Sequence, residues 1–420
     1  MGVKARERSL PGHELGREEQ QRLDVDGLLP ARVMRPGDAE QAAAGLRLCD
    51  AASAGVIVWG GGTQISIGSP PRRYDVAFST ERMSALLEYE PADLTCRVQA
   101  GMRLLDLQRT LGEQGQRLPL DPPRPERATI GGMVAANTSG LNRARYGTVR
   151  DWVIGIAVAY PSGKVARAGG KVVKNVAGYD LMKLHIGALG TLGVVAEVNL
   201  KVQACPQTTT TMFGRFDRAA PALDAGLQLS RAYLAPASSV VLDRTTLWSC
   251  GLTADWSWTL ALKLEGYAKE VDAARMLAER TIREAGGRIE PEAGPGTFWE
   301  SARDWSTPEE RAVVLRAIVP IAALGSIVPA LPREGQVMLQ PAAGIAEVRV
   351  EPMEAAAVLR GLRSAVGQEG QVIVASAPPE IKKGLDVWGP IPPGFAVMRA
   401  LKEALDPNGI LNPGRYVGGI

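Results

Sequence analysis

The stretch "VIVWGGGTQISIG" runs from Val56 to Gly68 and sets three glycines between an apolar run and a polar patch. Glycine has no Cβ, so the chain can take positive φ there and come close to a ligand, at an entropic cost. The pattern predicts a strand, a glycine turn and a second strand, because Ile65 and Ile67 alternate with polar neighbours. A phosphate cradle made of amide N–H groups rather than lysines has this shape. So does an ordinary glycine turn, and this stretch alone leaves both readings open.

Working outward, "ARVMRPGDAEQAAAGLRLCDAASAG" predicts a short strand and a helix capped by Asp38. Further strands follow in "RRYDVAFST", "LLEYE" and "LTCRVQAG", then a helix in "MRLLDLQRTLGEQG" with Gly115 as its C-cap. Small residues dominate Ala128 to Gly140, a composition that lets backbone pack tightly against something. "WVIGIAVAYPSGKVARA" is a hairpin turning at Pro161, Ser162 and Gly163. The familiar nucleotide signatures fail. Neither Gly163-Lys164 nor Gly170-Lys171 completes a Walker A loop, and "GALGTLG" has Leu189 where a dinucleotide motif needs glycine.

With 420 residues the chain accommodates two domains. A net charge of +3, with few aromatics interleaved among basic residues, argues against nucleic acid. The N-terminus is charged throughout, so residues 1–24 are expected to be a flexible tail with no secretory signal. "AIVPIAALGSIVPAL" is too short to span a membrane and holds two prolines. The four cysteines form no C-x-x-C pair, against a metal or iron–sulfur site and for a reducing, cytoplasmic setting. Only two histidines exist, His13 and His185. Residues 25–205 read as one domain and 206–385 as a second, whose two rounds of strand–helix–strand suggest a ferredoxin-like α+β sheet. Residues 386–420 form a helix and a tight turn, and no internal repeat is visible.

Five motifs then occur in order: "VIVWGGGTQISIG", "LPLDPP", "ATIGGMVAANTSGLNRARYGTVRDWVIGIAVAYPSGKV", "KNVAGYDLMKLHIGALGTLGVVAEVNLKV" and "LDPNGILNPGR". Together they resemble the PCMH-type, vanillyl-alcohol oxidase family of FAD-binding flavoproteins, and within it the FAD-binding subunits of glycolate oxidases. The resemblance covers residues 25–205 and 395–415. It implies an α+β fold: a two-subdomain PCMH-type FAD domain and a ferredoxin-like cap, with the C-terminal segment returning to the FAD domain.

The resemblance also implies the site. Gly60, Gly61, Gly62, Thr63 and Gln64 would wrap the FAD diphosphate. Thr129, Gly131, Gly132, Ala135, Ala136, Asn137, Ser139 and Gly140 would line the flavin and its ribityl chain, Tyr146 and Gly147 would close that loop, and Pro122 would also bind the cofactor. Gly190, Thr191, Gly193, Val194 and Val195 would meet the adenine end, and Asn412 the cofactor from the C-terminus. Thr63 stands where relatives that attach FAD covalently often carry histidine, so attachment should be non-covalent.

Family members that oxidise 2-hydroxy acids use histidines as base or metal ligands, with arginine for the carboxylate. This chain departs from that: His13 lies in the tail, His185 reads as a packing or flavin-edge residue, and Leu189 replaces an acidic residue. No catalytic base is assigned; the candidates are Lys171, Lys174, Tyr179 and Arg349, with Arg415 also facing the pocket, and no metal is expected. The implied partners are a second FAD-binding subunit and an iron–sulfur subunit, through which any membrane association would run. Three functions stay open: a subunit oxidising glycolate or a similar 2-hydroxy acid, a relay subunit that only holds FAD, and a stand-alone flavin reductase of related fold.

Overall fold

The computed structural model describes residues 10–170, 180–253, 255–290, 296–307, 312–332 and 335–420. Its first sheet joins β1 (His13–Glu14), β2 (Arg32–Met34), β4 (Val76–Ser79) and β3 (Val56–Trp59), in that order. The β2–β4 and β4–β3 junctions are parallel, so the chain must cross over between β2 and β3. It does so through the helix Ala39–Ala51, whose N-cap Asp38 accepts from the Gln41 amide at 2.7 Å. The helix buries Ala39, Ala42, Ala43 and Leu46 against the sheet. Residues 1–24 were expected to be a free tail, yet Leu10 and Leu15 are buried and β1 pairs with β2. Two well-spaced leucines were too sparse a signal to read in so charged a segment.

The second sheet is antiparallel, in the order β5 (Leu86–Glu90), β6 (Thr95–Gln99), β10 (Val194–Lys201), β8 (Val153–Ala159) and β9 (Val165–Gly169). Its apolar face is covered by the helices Leu104–Gly112 and Ile130–Ala136. A two-stranded ribbon, β7 (Gln116–Arg117) with β11 (Gln203–Ala204), closes this domain just before the chain leaves it. The C-terminal segment comes back: Val56 donates to Ile410 O at 2.8 Å, Asn412 donates to Val56 O at 2.8 Å, and Leu411 is fully buried in the first core.

Between them lies an eight-stranded antiparallel sheet. Its strands are β12 (Thr208–Phe216), β13 (Ser238–Asp243), β14 (Trp258–Gly266), β15 (Arg288–Glu290), β16 (Val313–Ile318), β17 (Gln336–Gln340), β18 (Ile345–Val350) and β19 (Gln371–Ser376). The spatial order is β15-β12-β14-β13-β17-β18-β16-β19. Each group of four, read in its own chain order, runs 4-1-3-2, with helical segments after its first and third strands. The single ferredoxin-like unit expected is therefore two, fused edge to edge through Val241–Leu339 and Leu242–Met338.

Alternation sorts the faces of this sheet. Leu260, Leu262, Leu264, Leu315, Leu339, Val348 and Val350 pack under the helices. The opposite parity presents Lys263, Glu265, Arg316, Glu347 and Arg349 towards the first domain. No helix among the described residues is long and apolar enough to cross a membrane.

Candidate functional site

The glycine stretch leaves β3 and does not re-enter a strand: residues 60–69 are turns and bends, and Ile67 donates to Gln64 O at 3.1 Å. The glycines have a packing cause. A Cβ on Gly61 would lie 1.7 Å from Arg127 O, and one on Gly60 would lie 2.3 Å from Thr129 Oγ1. A Cβ on Gly131 would meet Ala100 Cβ at 2.6 Å. The first loop thus lies directly against the segment entering the Ile130–Ala136 helix, and the two present bare backbone to one cleft. Thr129 caps that helix, accepting from Gly132 N at 3.2 Å. In the sequence, small residues hide the helical pattern of this segment, and only the Thr129 cap signals it.

The cleft encloses about 790 Å³, part of it open to solvent. Of the residues singled out from sequence, Gly60, Gly61, Gly62, Thr63, Gln64, Thr129, Gly131, Gly132, Ala135, Ala136, Gly190, Gly193, Val194, Val195 and Asn412 line it. Asn412 works as a tie: its Nδ2 donates to Leu189 O at 2.8 Å and its Oδ1 accepts from Val58 N at 3.3 Å.

Seven others stand off this wall. Ser139 Oγ accepts from Val149 N at 3.0 Å, Thr191 Oγ1 donates to Ala188 O at 2.7 Å, and Asn137 ends the helix at a positive φ of 49°. A Cβ on Gly140 would strike Asp121 O at 1.9 Å, beside Pro122, and one on Gly147 would meet Asp151 Oδ2 at 2.5 Å. The Tyr146 hydroxyl accepts from Arg117 at 3.1 Å, and Arg117 holds Glu265 of the cap in a two-pronged ion pair. These residues shape the loops and the domain junction. Val58, Ile65, Ile67, Thr80 and Leu189 also line the cleft, though none was named as a cofactor residue; as apolar or strand-end residues they carried no cofactor-binding signal.

The cleft continues between the domains. Gly62, Thr63 and Gln64 are shared with a second space walled by Arg124, Arg127 and Arg316, which joins a third containing Trp305 and Arg349. Arg316 is neutralised by Glu347 at 2.7 Å. Arg349 is different: its Nη2 donates to Trp305 O, its guanidinium lies 4.8 Å above the Trp305 ring, and its buried Nε has no hydrogen-bond partner. Lys171, Lys174 and Tyr179 lie outside the described residues.

Neither histidine lines these spaces. His185 is buried, 2.9 Å from the Tyr160 hydroxyl, and burial pushes its imidazole down to about 4. Asp121 lies on the other side of the domain, held by Asn142 N at 2.7 Å with Lys263 at 3.9 Å, and burial pushes its carboxyl up to about 6. The two tilt stability in opposite senses. The neutral His185 favours folding above its unfolded value near 6.5, and that contribution is lost as pH falls to about 4. Asp121 penalises folding above about 6 and is relieved as pH falls. Each tilt amounts to roughly 3 kcal/mol. Urea unfolding at pH 6.5 and pH 4.5 should therefore show His185→Leu gaining stability on acidification relative to the parent, and Asp121→Asn losing it.

The donor set fits a FAD: a long cleft with bare backbone on both walls and a cation, Arg415, on one of them. Residues 30–169 match the family described as FAD binding domain, and residues 391–416 match FAD linked oxidases, C-terminal domain. The chain is 28% identical to glycolate oxidase subunit GlcD of Bacillus subtilis, over 92% of this chain and 89% of that protein. It is 28% identical to glycolate oxidase subunit GlcE of Escherichia coli, over 86% and 92%. A D-2-hydroxyglutarate dehydrogenase of Xanthomonas citri is 34% identical over 49% of this chain and 43% of that one. Among solved structures, p-cresol methylhydroxylase superposes with a TM-score of 0.71 at 18% identity, covering 92% and 88%. An alkyldihydroxyacetonephosphate synthase gives 0.70 at 20% identity, covering 98% and 82%.

Proposed function

We infer that this chain, whose residues 30–169 match a FAD binding domain and 391–416 the C-terminal domain of FAD linked oxidases, serves as the FAD-binding, GlcE-like subunit of a glycolate oxidase-type complex. Its substrate is glycolate or a similar small 2-hydroxy acid, oxidised to the 2-oxo acid. The observation that carries this reading is Arg349, a half-buried guanidinium with no salt bridge among the described residues, in a space continuous with the glycine-walled cleft. A planar guanidinium matches a carboxylate in two-pronged fashion. Trp305 beneath it helps fix the orientation of that fork.

The cleft residues would hold FAD, with Thr63 where covalently flavinylated relatives often carry histidine and so without a bond at that position, and the flavin when bound would serve as hydride acceptor. The protein's residues bind and orient the acid. The proton on the substrate hydroxyl needs a base, and neither histidine reaches the cleft. That observation favours the second reading, a relay subunit whose partner flavoprotein performs the chemistry. In both readings electrons would pass on to a partner subunit, as the similarity to glycolate oxidase subunits suggests. A cytoplasmic setting would keep the free cysteine thiols reduced.

The test is a visible spectrum of the purified chain, followed by anaerobic glycolate and D-lactate. Bleaching of the flavin band supports the catalytic reading, and Arg349→Met should then raise KM at least about tenfold, a loss of roughly 1.4 kcal/mol of substrate binding. A yellow protein that stays oxidised overturns that reading in favour of the relay. A chain that takes up no FAD overturns both.

A further inference from the structure

One wall of the cleft, at Leu189, Gly190 and Gly193, is fastened to the C-terminal segment through a buried ion pair. Lys402 lies in the helix Phe395–Leu405, and Asp406 follows one turn later, at the helix end. Their side chains are 10% and 0% exposed. Lys402 Nζ donates to Asp406 Oδ2 at 2.6 Å, to Leu411 O at 2.9 Å and to Thr191 O at 2.8 Å, which uses all three of its protons. Asp406 in turn accepts from Ile410 N at 3.0 Å and from Leu411 N at 2.8 Å. One ammonium thus joins the helix, the turn at Leu411 and the loop that leads into β10.

The loop that Lys402 grips is strained. Leu189 has a φ of 50° and Gly190 one of 68°. That left-handed region suits glycine and is costly for leucine. Both polar groups of Leu189 are tied down: its N donates to Ala135 O at 2.8 Å, and its O accepts from Asn412 Nδ2 at 2.8 Å. Asn412 is itself left-handed, with a φ of 43°, and directly follows Leu411, whose carbonyl Lys402 holds. The carbonyls of Leu189 and Thr191 are therefore both taken by donors from the C-terminal segment. Leu189, Gly190 and Asn412 all line the cleft.

We propose that Lys402 is a positioning residue for the cofactor: it holds the Leu189–Thr191 turn in the left-handed shape against which the adenine-bearing half of FAD lies. The inference rests on the FAD reading, which sets the adenine end against Gly190 to Val195, and deepens it. Strain of this kind persists only where the surroundings over-determine it. The determinants here are Lys402 at Thr191, Asn412 at the Leu189 carbonyl and Ala135 at the Leu189 amide. Without Lys402 the Thr191 carbonyl loses its partner and the Leu411–Asn412 turn loses its anchor. Leu189 is then free to relax to negative φ and to shift Gly190 from its place on the wall.

The experiment compares FAD with FMN, which keeps the ring and lacks the adenosine half, by flavin-fluorescence titration of the cofactor-free full-length chain. Lys402→Met should weaken FAD binding at least about tenfold and leave FMN binding within about twofold. ADP, used to displace FAD, should weaken in the same ratio as FAD. Removal of Lys402 strands the Asp406 carboxylate, so Lys402→Met with Asp406→Asn serves as the charge-balanced form and should show the same selective loss. Adding Leu189→Gly to Lys402→Met tests the strain itself: glycine takes positive φ freely, so FAD affinity should recover at least about threefold. Equal FAD affinity in the parent and both Lys402 variants overturns the proposal and leaves the FAD reading standing. Equal losses for FAD and FMN, with no recovery on Leu189→Gly, also overturn it, showing a merely structural role. A parent chain that binds neither flavin overturns the FAD reading and this inference with it.

Discussion

Asp26→Asn should cost the protein about 3–5 kcal/mol of unfolding free energy, the range for breaking a buried ion pair by removing one partner. The asparagine keeps the shape of the side chain and the hydrogen bond it can accept from Lys382. Among the described residues, it removes the one carboxylate ion-paired with Lys382 and Arg415. Two cations would then be buried together, behind a loop whose carbonyls offer only partial charge. Urea denaturation at neutral pH measures the loss directly. The double variant Asp26→Asn with Lys382→Met should recover a large part of it, because the number of unpaired charges falls from two to one. No recovery would mean that the cost comes from packing.

Gly61→Ala should have the second large effect, about 3 kcal/mol or more of stability together with loss of FAD on purification. The new methyl would sit 1.7 Å from Arg127 O, a backbone atom that cannot turn aside. Relief requires the glycine loop and the Thr129 segment to part, which widens the cleft where both walls come closest. Thermal melting and the ratio of flavin to protein absorbance follow the two losses together. Gly361→Ala serves as the contrast: it lies exposed within the helix Ala355–Val366, and its Cβ would meet nothing within 4 Å. There the change should stabilise by about 0.5–1 kcal/mol through helix propensity.

Local chemistry accounts for what could be read from sequence. Asp38 announced its helix, and Pro161–Gly163 announced the hairpin of β8 and β9, because caps and turns are written within a few residues. The glycines of the two loops were recognisable as backbone surfaces, and most of those named do meet at one cleft. The reason for the glycines was hidden. It lies in Arg127 O, Thr129 Oγ1 and Ala100, partners that only folding identifies. The strand expected after "GGGTQ" failed because Arg415 and Lys382 take the carbonyls of Ile65, Ser66 and Ile67 that a neighbouring strand would have bonded.

Ionic pairing was the least legible property. Asp26 and Lys382 are 356 positions apart, and Arg117 and Glu265 are 148 apart. Nothing in a charged residue's own neighbourhood tells a buried partner from a solvated one. Arg349 could be suspected from its place on a strand; Trp305, which holds it, could not.

The doubled cap has a bearing on solubility. A lone four-stranded unit would expose the backbone of its second strand along one side, an invitation to pair with any passing chain. Here β13 and β17, the second strands of the two halves, hide that side in each other. The rims left over are β15, only three residues long, and β19, whose open flank follows the covered one against β16. Fusion of two like units thus turns the most aggregation-prone flank of each into an internal seam, and keeps those strand edges out of reach of stray chains.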